Sequence, residues 1–152
     1  MSISVRVQQE DFDLATEYQR LAQNKQCGAV VTFTGLVRDS AEGGLRGLEL
    51  EHYPGMTEKA LTDIVEEAQK RWDLRGVTVI HRVGYLSLNE QIVMVAVASG
   101  HRQAAFSAAS FIMDYLKTQA PFWKKEHTEE GEHWVEAKQS DQQAAEQWSQ
   151  QQ

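Results

Sequence analysis

The stretch QIVMVAVAS, residues 91–99, gives the clearest indication of the fold class. It is apolar at nearly every position, which is typical of a strand that is covered on both faces. A β-branched run, GVTVIHRVG (76–84), precedes it, and SLNE (87–90) predicts a turn between the two. We therefore expect two strands joined by a turn, with the second strand buried.

Further strands and helices are predicted on both sides of this pair. Strand patterns occupy residues 3–7, 28–34, 45–53 and 132–137. Helical spacing predicts one helix after Asp11 or Asp13, a second from an N-cap at Thr57 to about Trp72, and a third over about 101–118. Gly35 interrupts its strand and predicts a bend or bulge. Mixed strands and about three main helices predict a single α+β or α/β domain.

Composition limits the class of protein. The 152 residues fit one domain, which we assign to 1–141, followed by a glutamine-rich tail over 142–152 that is compatible with disorder and has only Trp148 as an anchor. The net charge of −7 argues against a protein that coats nucleic acid. The sequence contains no apolar run near the roughly 18 residues of a membrane span, and its single cysteine, Cys27, fits a reducing compartment. We expect a cytoplasmic protein.

A cluster of cations is predicted where FIMDYLKTQAPFWKKE (111–126) leaves the third helix. Helical rotation of 100° per residue places Arg102, Met113 and Lys117 on one stripe. Pro121 forbids continuation of the helix and turns the chain, so that Lys124 and its neighbours can fold back towards Lys117. The alternative is that these lysines extend into ordinary solvent.

Clustered cations bind phosphate or carboxylate groups, and lysine amines can act as acids, bases or nucleophiles. Arg38 follows a glycine-permitted bend, and His101 and Arg102 follow a buried strand at a predicted helix start, where backbone N–H groups also favour anions. His101 could equally cap the helix or pack.

The histidines do not match a zinc spacing, and the glycines match neither standard nucleotide motif. We predict neither a metal nor a cofactor, and we interpret Cys27 as a core residue.

Six blocks, in this order, form a recognisable set: VVTFTGLVRD (30–39), LELEHYPGMTEKAL (48–61), VIHRVGYL (79–86), the His-Arg pair at 101–102, FIMDYLKTQAPFWKKE (111–126) and WVEAKQSD (134–141). They resemble the catalytic, large subunit of molybdopterin synthase, the MoaE family, over about residues 28–141.

The resemblance implies an α/β hammerhead-type fold and a homodimer at the centre of a heterotetramer. It also implies a cytoplasmic sulfurtransferase of molybdenum cofactor biosynthesis that transfers two sulfurs to cyclic pyranopterin monophosphate, giving the molybdopterin dithiolene. The sulfurs arrive as the C-terminal Gly-Gly thiocarboxylate of a small ubiquitin-like carrier subunit.

The same resemblance implies roles for individual residues. The family's essential lysines fall on Lys117 and Lys124, its anion-binding arginine on Arg38, and its His-Arg pair on His101 and Arg102. Residues matching its pocket neighbours are Phe33, Met113 and Lys125. Two positions depart from the expected pattern: Leu36 stands where a basic residue is expected, and Lys138 stands where an arginine often occurs. Lysine lacks the bidentate fork of arginine, which weakens Lys138 as a phosphate ligand.

Two other functions fit the cationic segment. A non-catalytic adaptor could use it to hold the carboxylate of a carrier's tail. A Schiff-base enzyme acting on a phosphorylated carbonyl compound could use Lys117 as its amine.

Overall fold

The computed structural model describes residues 2–135 and 139–149. In chain order the elements are β1 (Ser2–Gln8), α1 (Leu14–Ala22), β2 (Ala29–Leu36), β3 (Leu45–His52), α2 (Met56–Arg71), β4 (Leu74–Arg82), β5 (Gly84–Ser87), β6 (Gln91–Ser99), α3 (Arg102–Gln119), β7 (Phe122–Thr128), β8 (Gly131–Val135) and α4 (Gln139–Ser149). This mixture of strands and helices confirms the predicted α+β class. None of the described helices is long and apolar enough to cross a membrane.

The first sheet has the strand order β1-β4-β6-β2. β1 runs parallel to β4, and the other two pairs are antiparallel. Seven of the nine residues of β6 are buried, because α2 and α3 cover one face of the sheet and α1 covers the other. The prediction of a strand covered on both faces is therefore confirmed.

The second sheet has the order β5-β3-β7-β8 and is antiparallel throughout. The predicted strand 76–84 was wrong at its end, because β4 stops at Arg82 and Gly84 begins β5. Gly84 has a φ of +90°, a conformation that glycine adopts without steric cost. The chain thereby leaves the first sheet and pairs with β3 in the second.

A bulge at Gly35 shapes the end of β2. The register with β6 shifts between Gly35 and Leu36, as the glycine predicted. A Cβ atom at Gly35 would lie 2.9 Å from Cγ1 of Val93, so this position has no room for a side chain unless Val93 moves. The bulge ends regular pairing just where Leu36 reaches the surface.

Thr57 was predicted as the N-cap of α2, and this was wrong. The N-cap residue is Gly55, whose backbone N–H donates to the Glu58 carboxylate at 2.9 Å. Thr57 is fully buried inside the helix, where its hydroxyl accepts from the Tyr53 N–H at 2.9 Å and donates to the Pro121 carbonyl at 3.0 Å. Its hydroxyl thus joins the start of α2 to the start of β7.

Helix α4 occupies most of the segment interpreted as a glutamine-rich tail. Its Trp148 packs edge-on against Trp72 and Phe111 and donates from Nε1 to the Asp114 carboxylate at 2.7 Å. Arg71 donates to the Trp148 carbonyl at 3.0 Å. The helix spans residue 141, and the division of the chain at that point stays a prediction.

Candidate active site

A cavity of about 360 Å³ lies where the end of α3 meets β2, β6 and β7. Its lining residues come from seven elements and one loop: Phe33, Gly35, Leu36, His81, Ile92, Val93, Met113, Leu116, Lys117, Ala120, Phe122, Lys124, Val135 and Asp141. Most of these side chains are apolar, and two are lysines. The cavity therefore combines an apolar wall with concentrated positive charge, which suits an anionic organic ligand.

Helix α3 places Lys117 in this cavity. Lys117 lies in its last turn, one turn beyond Met113, while the adjacent Leu116 is buried in the core. The helix ends because Ala120, which precedes Pro121, has extended backbone angles of −81° and 129°. A cation in the last turn also faces the negative end of the helix dipole.

Strand β7 places Lys124 beside it. Successive side chains of a strand point to opposite faces, so Phe122 and Lys124 share the face that lines the cavity. The sequence predicted that Pro121 would turn Lys124 back towards Lys117, and the structure brings both lysines into one cavity. It did not predict that a strand would carry out this return.

Lys125 lies on the other face of β7. Its Nζ is 3.5 Å from the Glu132 carboxylate and 4.6 Å from the centre of the Trp134 ring. The resemblance implied a pocket position for Lys125, but the structure places it outside the cavity because strand alternation turns it away from Lys124.

The other residues that the resemblance implied as anion-binding lie elsewhere on the molecule. His101 and Arg102 lie at the N-terminal end of α3, about 22 Å from Lys117 at the usual helical rise, and line a separate open depression with Gln103, Phe106 and Ser107. Arg38 is exposed on the loop after β2, two residues beyond Leu36. One chain thus brings together Phe33, Met113, Lys117 and Lys124, but not Arg38, His101 or Arg102. Lys138 lies outside the described residues.

His81 is a cavity residue that sequence reasoning missed. It is 4% exposed on β4, and its ring stacks on Phe122 with centroids 3.7 Å apart. Burial lowers the pKa of His81 to about 4; a hydrogen bond to the Arg82 carbonyl opposes this, and the charges of Lys124, Lys117 and His52 reinforce it. The signal in the sequence was a histidine on the alternating, inward-facing positions of an apolar strand, shared with Val77 and Val79.

Comparison with known proteins decides the family. Residues 7–119 match the family model described as "MoaE protein". The chain belongs to the MoaE family. The molybdopterin synthase catalytic subunit of Vibrio cholerae serotype O1 is 58% identical over 149 residues, covering 97% of this chain and 99% of that protein. The molybdopterin synthase catalytic subunit of Escherichia coli strain K12 is 59% identical over 140 residues, covering 91% and 93%.

The fold agrees with solved structures of the MoaE family. The molybdopterin biosynthesis MoaE protein from Burkholderia ambifaria MC40-6 superposes with a TM-score of 0.83 at 50% identity, covering 98% of this chain and 99% of that one. The resemblance inferred from the six sequence blocks is therefore confirmed, and it extends over nearly the whole chain.

Proposed function

We propose that the cavity is the site at which this chain, as the catalytic subunit of a molybdopterin synthase, transfers sulfur. The observation that carries the proposal is the meeting of Lys117 and Lys124, from two different elements, in one largely apolar cavity. The curated relatives that match nearly the whole chain are molybdopterin synthase catalytic subunits. The chain is accordingly a sulfurtransferase of molybdenum cofactor biosynthesis.

The sulfur comes from a carrier rather than from this chain. Cys27 lies before β2, nine residues from Leu36 at the cavity, which corresponds to roughly 30 Å along an extended strand. It is too far away to hold sulfur in the cavity. The donor is the C-terminal Gly-Gly thiocarboxylate of a small ubiquitin-like subunit, and the acceptor is cyclic pyranopterin monophosphate.

In each of the two transfers the thiocarboxylate sulfur attacks a carbon of the substrate, so that a carbon–sulfur bond forms and a carbon–oxygen bond of the substrate breaks. The displaced oxygen leaves as water or stays on the phosphate, and no oxidant or reductant is needed. Hydrolysis of the resulting acyl–sulfur bond then returns the carrier terminus as a carboxylate and leaves the sulfur on the substrate. Both the thiocarboxylate and the substrate phosphate are anions, so the ammonium groups of Lys117 and Lys124 hold them and stabilise the oxyanions that develop. The apolar side chains of the wall lower the local polarity, which strengthens these interactions.

A homodimer gives His101 and Arg102 a place in this chemistry. Helix α3 runs alongside β2 from its Ala29 end to its Leu36 end, and β2 is an edge strand of the first sheet. Phe33 on β2 and Phe106 on α3 are both exposed. An antiparallel twofold pairing along this edge would bring the His101–Arg102 end of one copy next to the Lys117 end of the other. With one carrier on each catalytic chain, the assembly is a heterotetramer, which we place in the cytoplasm.

Mixing two inactive variants tests the shared site. Lys117→Ala and Arg102→Ala homodimers should each lack activity, but after subunit exchange half of the dimers contain both variants and one intact site. The mixture should recover about a quarter of wild-type activity, since each mixed dimer has one of its two sites. A mixture as inactive as its components would show that both residues act within one chain.

Reconstitution tests the function itself. The purified chain, a thiocarboxylated carrier and cyclic pyranopterin monophosphate should give the dithiolene product, and the same carrier with an ordinary carboxylate terminus should give none. Carrier binding without product would favour the adaptor. Borohydride trapping of a carbonyl substrate on Lys117 would favour the Schiff-base enzyme.

A further inference from the structure

Asp141 is a cavity residue to which the proposed chemistry gives no role. It lies in the first turn of α4, and among the described residues that line the cavity it is the one carboxylate. The other charged side chains of this lining are the cations Lys117 and Lys124. A carboxylate opposes the attraction of these lysines for anions, so it does not help to bind the phosphate or the thiocarboxylate.

The packing of α4 turns Asp141 inward. Ala145 and Trp148 follow it by four and seven residues, so the three side chains lie on one face of the helix. That face packs on α3, because Ala145 is buried and the Trp148 Nε1 donates to the Asp114 carboxylate at 2.7 Å. Asp141 is partly buried, and within the described part of the chain its carboxylate has neither a hydrogen bond nor an ion pair. Its oxygens are therefore left to accept from a ligand in the cavity.

The substrate of the proposed reaction, cyclic pyranopterin monophosphate, has an anionic part and a part rich in donors. The phosphate is held by the lysines, whereas the pyrimidine edge of the pterin presents two adjacent N–H donors, an exocyclic amino group and a ring N–H. A carboxylate only accepts hydrogen bonds, and its two oxygens take two parallel donors at once. Phe33, Met113 and Phe122 offer apolar surface for the flat ring, in a cavity whose 360 Å³ is typical of small-molecule sites.

We propose that Asp141 is a specificity-determining residue that binds the pyrimidine edge of the pterin substrate. Its carboxylate accepts from the exocyclic amino group and from the ring N–H beside it. A ring with an oxygen in place of the amino group is disfavoured, because two acceptors would then face each other. This inference rests on the proposed function and deepens it.

Two anionic probes isolate the contribution of the amino group. Pterin-6-carboxylate and lumazine-6-carboxylate offer the lysines the same carboxylate, but lumazine has an oxo group where pterin has the exocyclic amino group. Fluorescence titration of the full chain should show that the wild type prefers the pterin. Asp141→Asn, which is nearly isosteric, should weaken pterin binding by about tenfold to a hundredfold, the size expected of a hydrogen bond to a charged group, and should strengthen lumazine binding. Glu146→Gln, at an exposed position of α4, is the matched control and should change neither.

The signs of the two changes separate this role from simpler ones. If Asp141 only reduced the positive potential of the cavity, Asp141→Asn would strengthen the binding of both anionic probes. If it only stabilised the first turn of α4, the variant would lose thermal stability and keep the preference for pterin. Either result, or a wild-type chain that does not prefer the pterin probe, would overturn the proposal.

Kinetics of the reconstituted complex test the same residue during turnover. Asp141→Asn should raise KM for cyclic pyranopterin monophosphate by about tenfold to a hundredfold and leave kcat within about twofold, because the pyrimidine edge is bound equally in the ground and transition states. A fall in kcat with KM unchanged would contradict the inference, since Asp141 would then act on the reacting atoms. A wild-type complex that forms no dithiolene would refute the proposed function, while the probe measurements would still decide the role of Asp141.

Discussion

Lys124 and Lys125 are sequence neighbours that β7 turns to opposite faces, and this gives a matched pair of variants. Lys124→Ala should lower kcat for sulfur transfer by about 10²–10³-fold, the usual cost of removing one group that stabilises a developing oxyanion. Lys125→Ala removes the pairing with Glu132 and the contact with the Trp134 ring, both outside the cavity, so activity should stay within about twofold of wild type, as is usual for a substitution away from the site. Steady-state kinetics of both variants checks this; equal losses would show that the lysines act as a pair. A rise in KM with kcat unchanged in Lys124→Ala would mean that Lys124 only binds.

Prediction of single residues from the sequence succeeded where the local course of the backbone brings two side chains together. Pro121 ends α3 within four residues of Lys117, so the return of Lys124 followed from backbone constraints alone. It did not separate Lys125 from Lys124, because β7 was not recognised as a strand, and a strand turns neighbouring side chains to opposite faces. His81 was missed because its inward-facing position on an apolar strand is equally typical of a packed core histidine. Its place in the cavity wall depends on long-range packing, including the stack on Phe122.

At the scale of elements, Thr57 connects α2 to the strand that carries Lys124. Thr57→Val keeps the shape of the side chain but leaves the Tyr53 N–H and the Pro121 carbonyl without its hydroxyl. We expect a loss of about 1–3 kcal/mol in the free energy of unfolding, the cost of leaving buried polar groups unpaired. Thr57→Ser is the matched control, since it keeps the hydroxyl and removes one methyl group, worth about 0.8 kcal/mol. Denaturant unfolding compares the two; a valine variant as stable as the serine variant would contradict the role of this hydroxyl.

Most elements were predictable from local patterns. The continuous apolar run of β6, the alternation of β3 and the apolar stripe of α2 each specify their own secondary structure. The second sheet was harder, because β5 has only four residues and β7 begins with the sequence FWKKE, whose alternation carries no clear apolar face. These strands form because β3 pairs with both of them, and such long-range pairing leaves little trace in a short segment.

At the scale of the whole molecule, docking of the carrier should divide into two parts. Ordering a flexible Gly-Gly tail costs roughly 1–2 kcal/mol per residue, so the cations of the cavity must hold its terminus directionally. The body of the carrier needs a separate apolar contact, for which exposed side chains such as Trp123 and Trp134 provide area. Removing the carrier's two terminal glycines should abolish sulfur transfer yet leave complex formation that is moderately resistant to salt, as measured by titration calorimetry at two ionic strengths. Complete loss of association would contradict this division.

The central claim, that the cavity at the end of α3 is where sulfur is transferred, is tested most directly by Lys117→Ala in the reconstituted complex. Lys117 lies in the last turn of α3 and Lys70 in the last turn of α2; both are exposed, but only Lys117 lines the cavity. Lys117→Ala should lower the rate of dithiolene formation at least about a hundredfold, with carrier binding and thermal stability retained, while Lys70→Ala should keep the wild-type rate. A Lys117→Ala variant that keeps more than about a tenth of wild-type activity would contradict the account, since a group with this role contributes at least about a hundredfold.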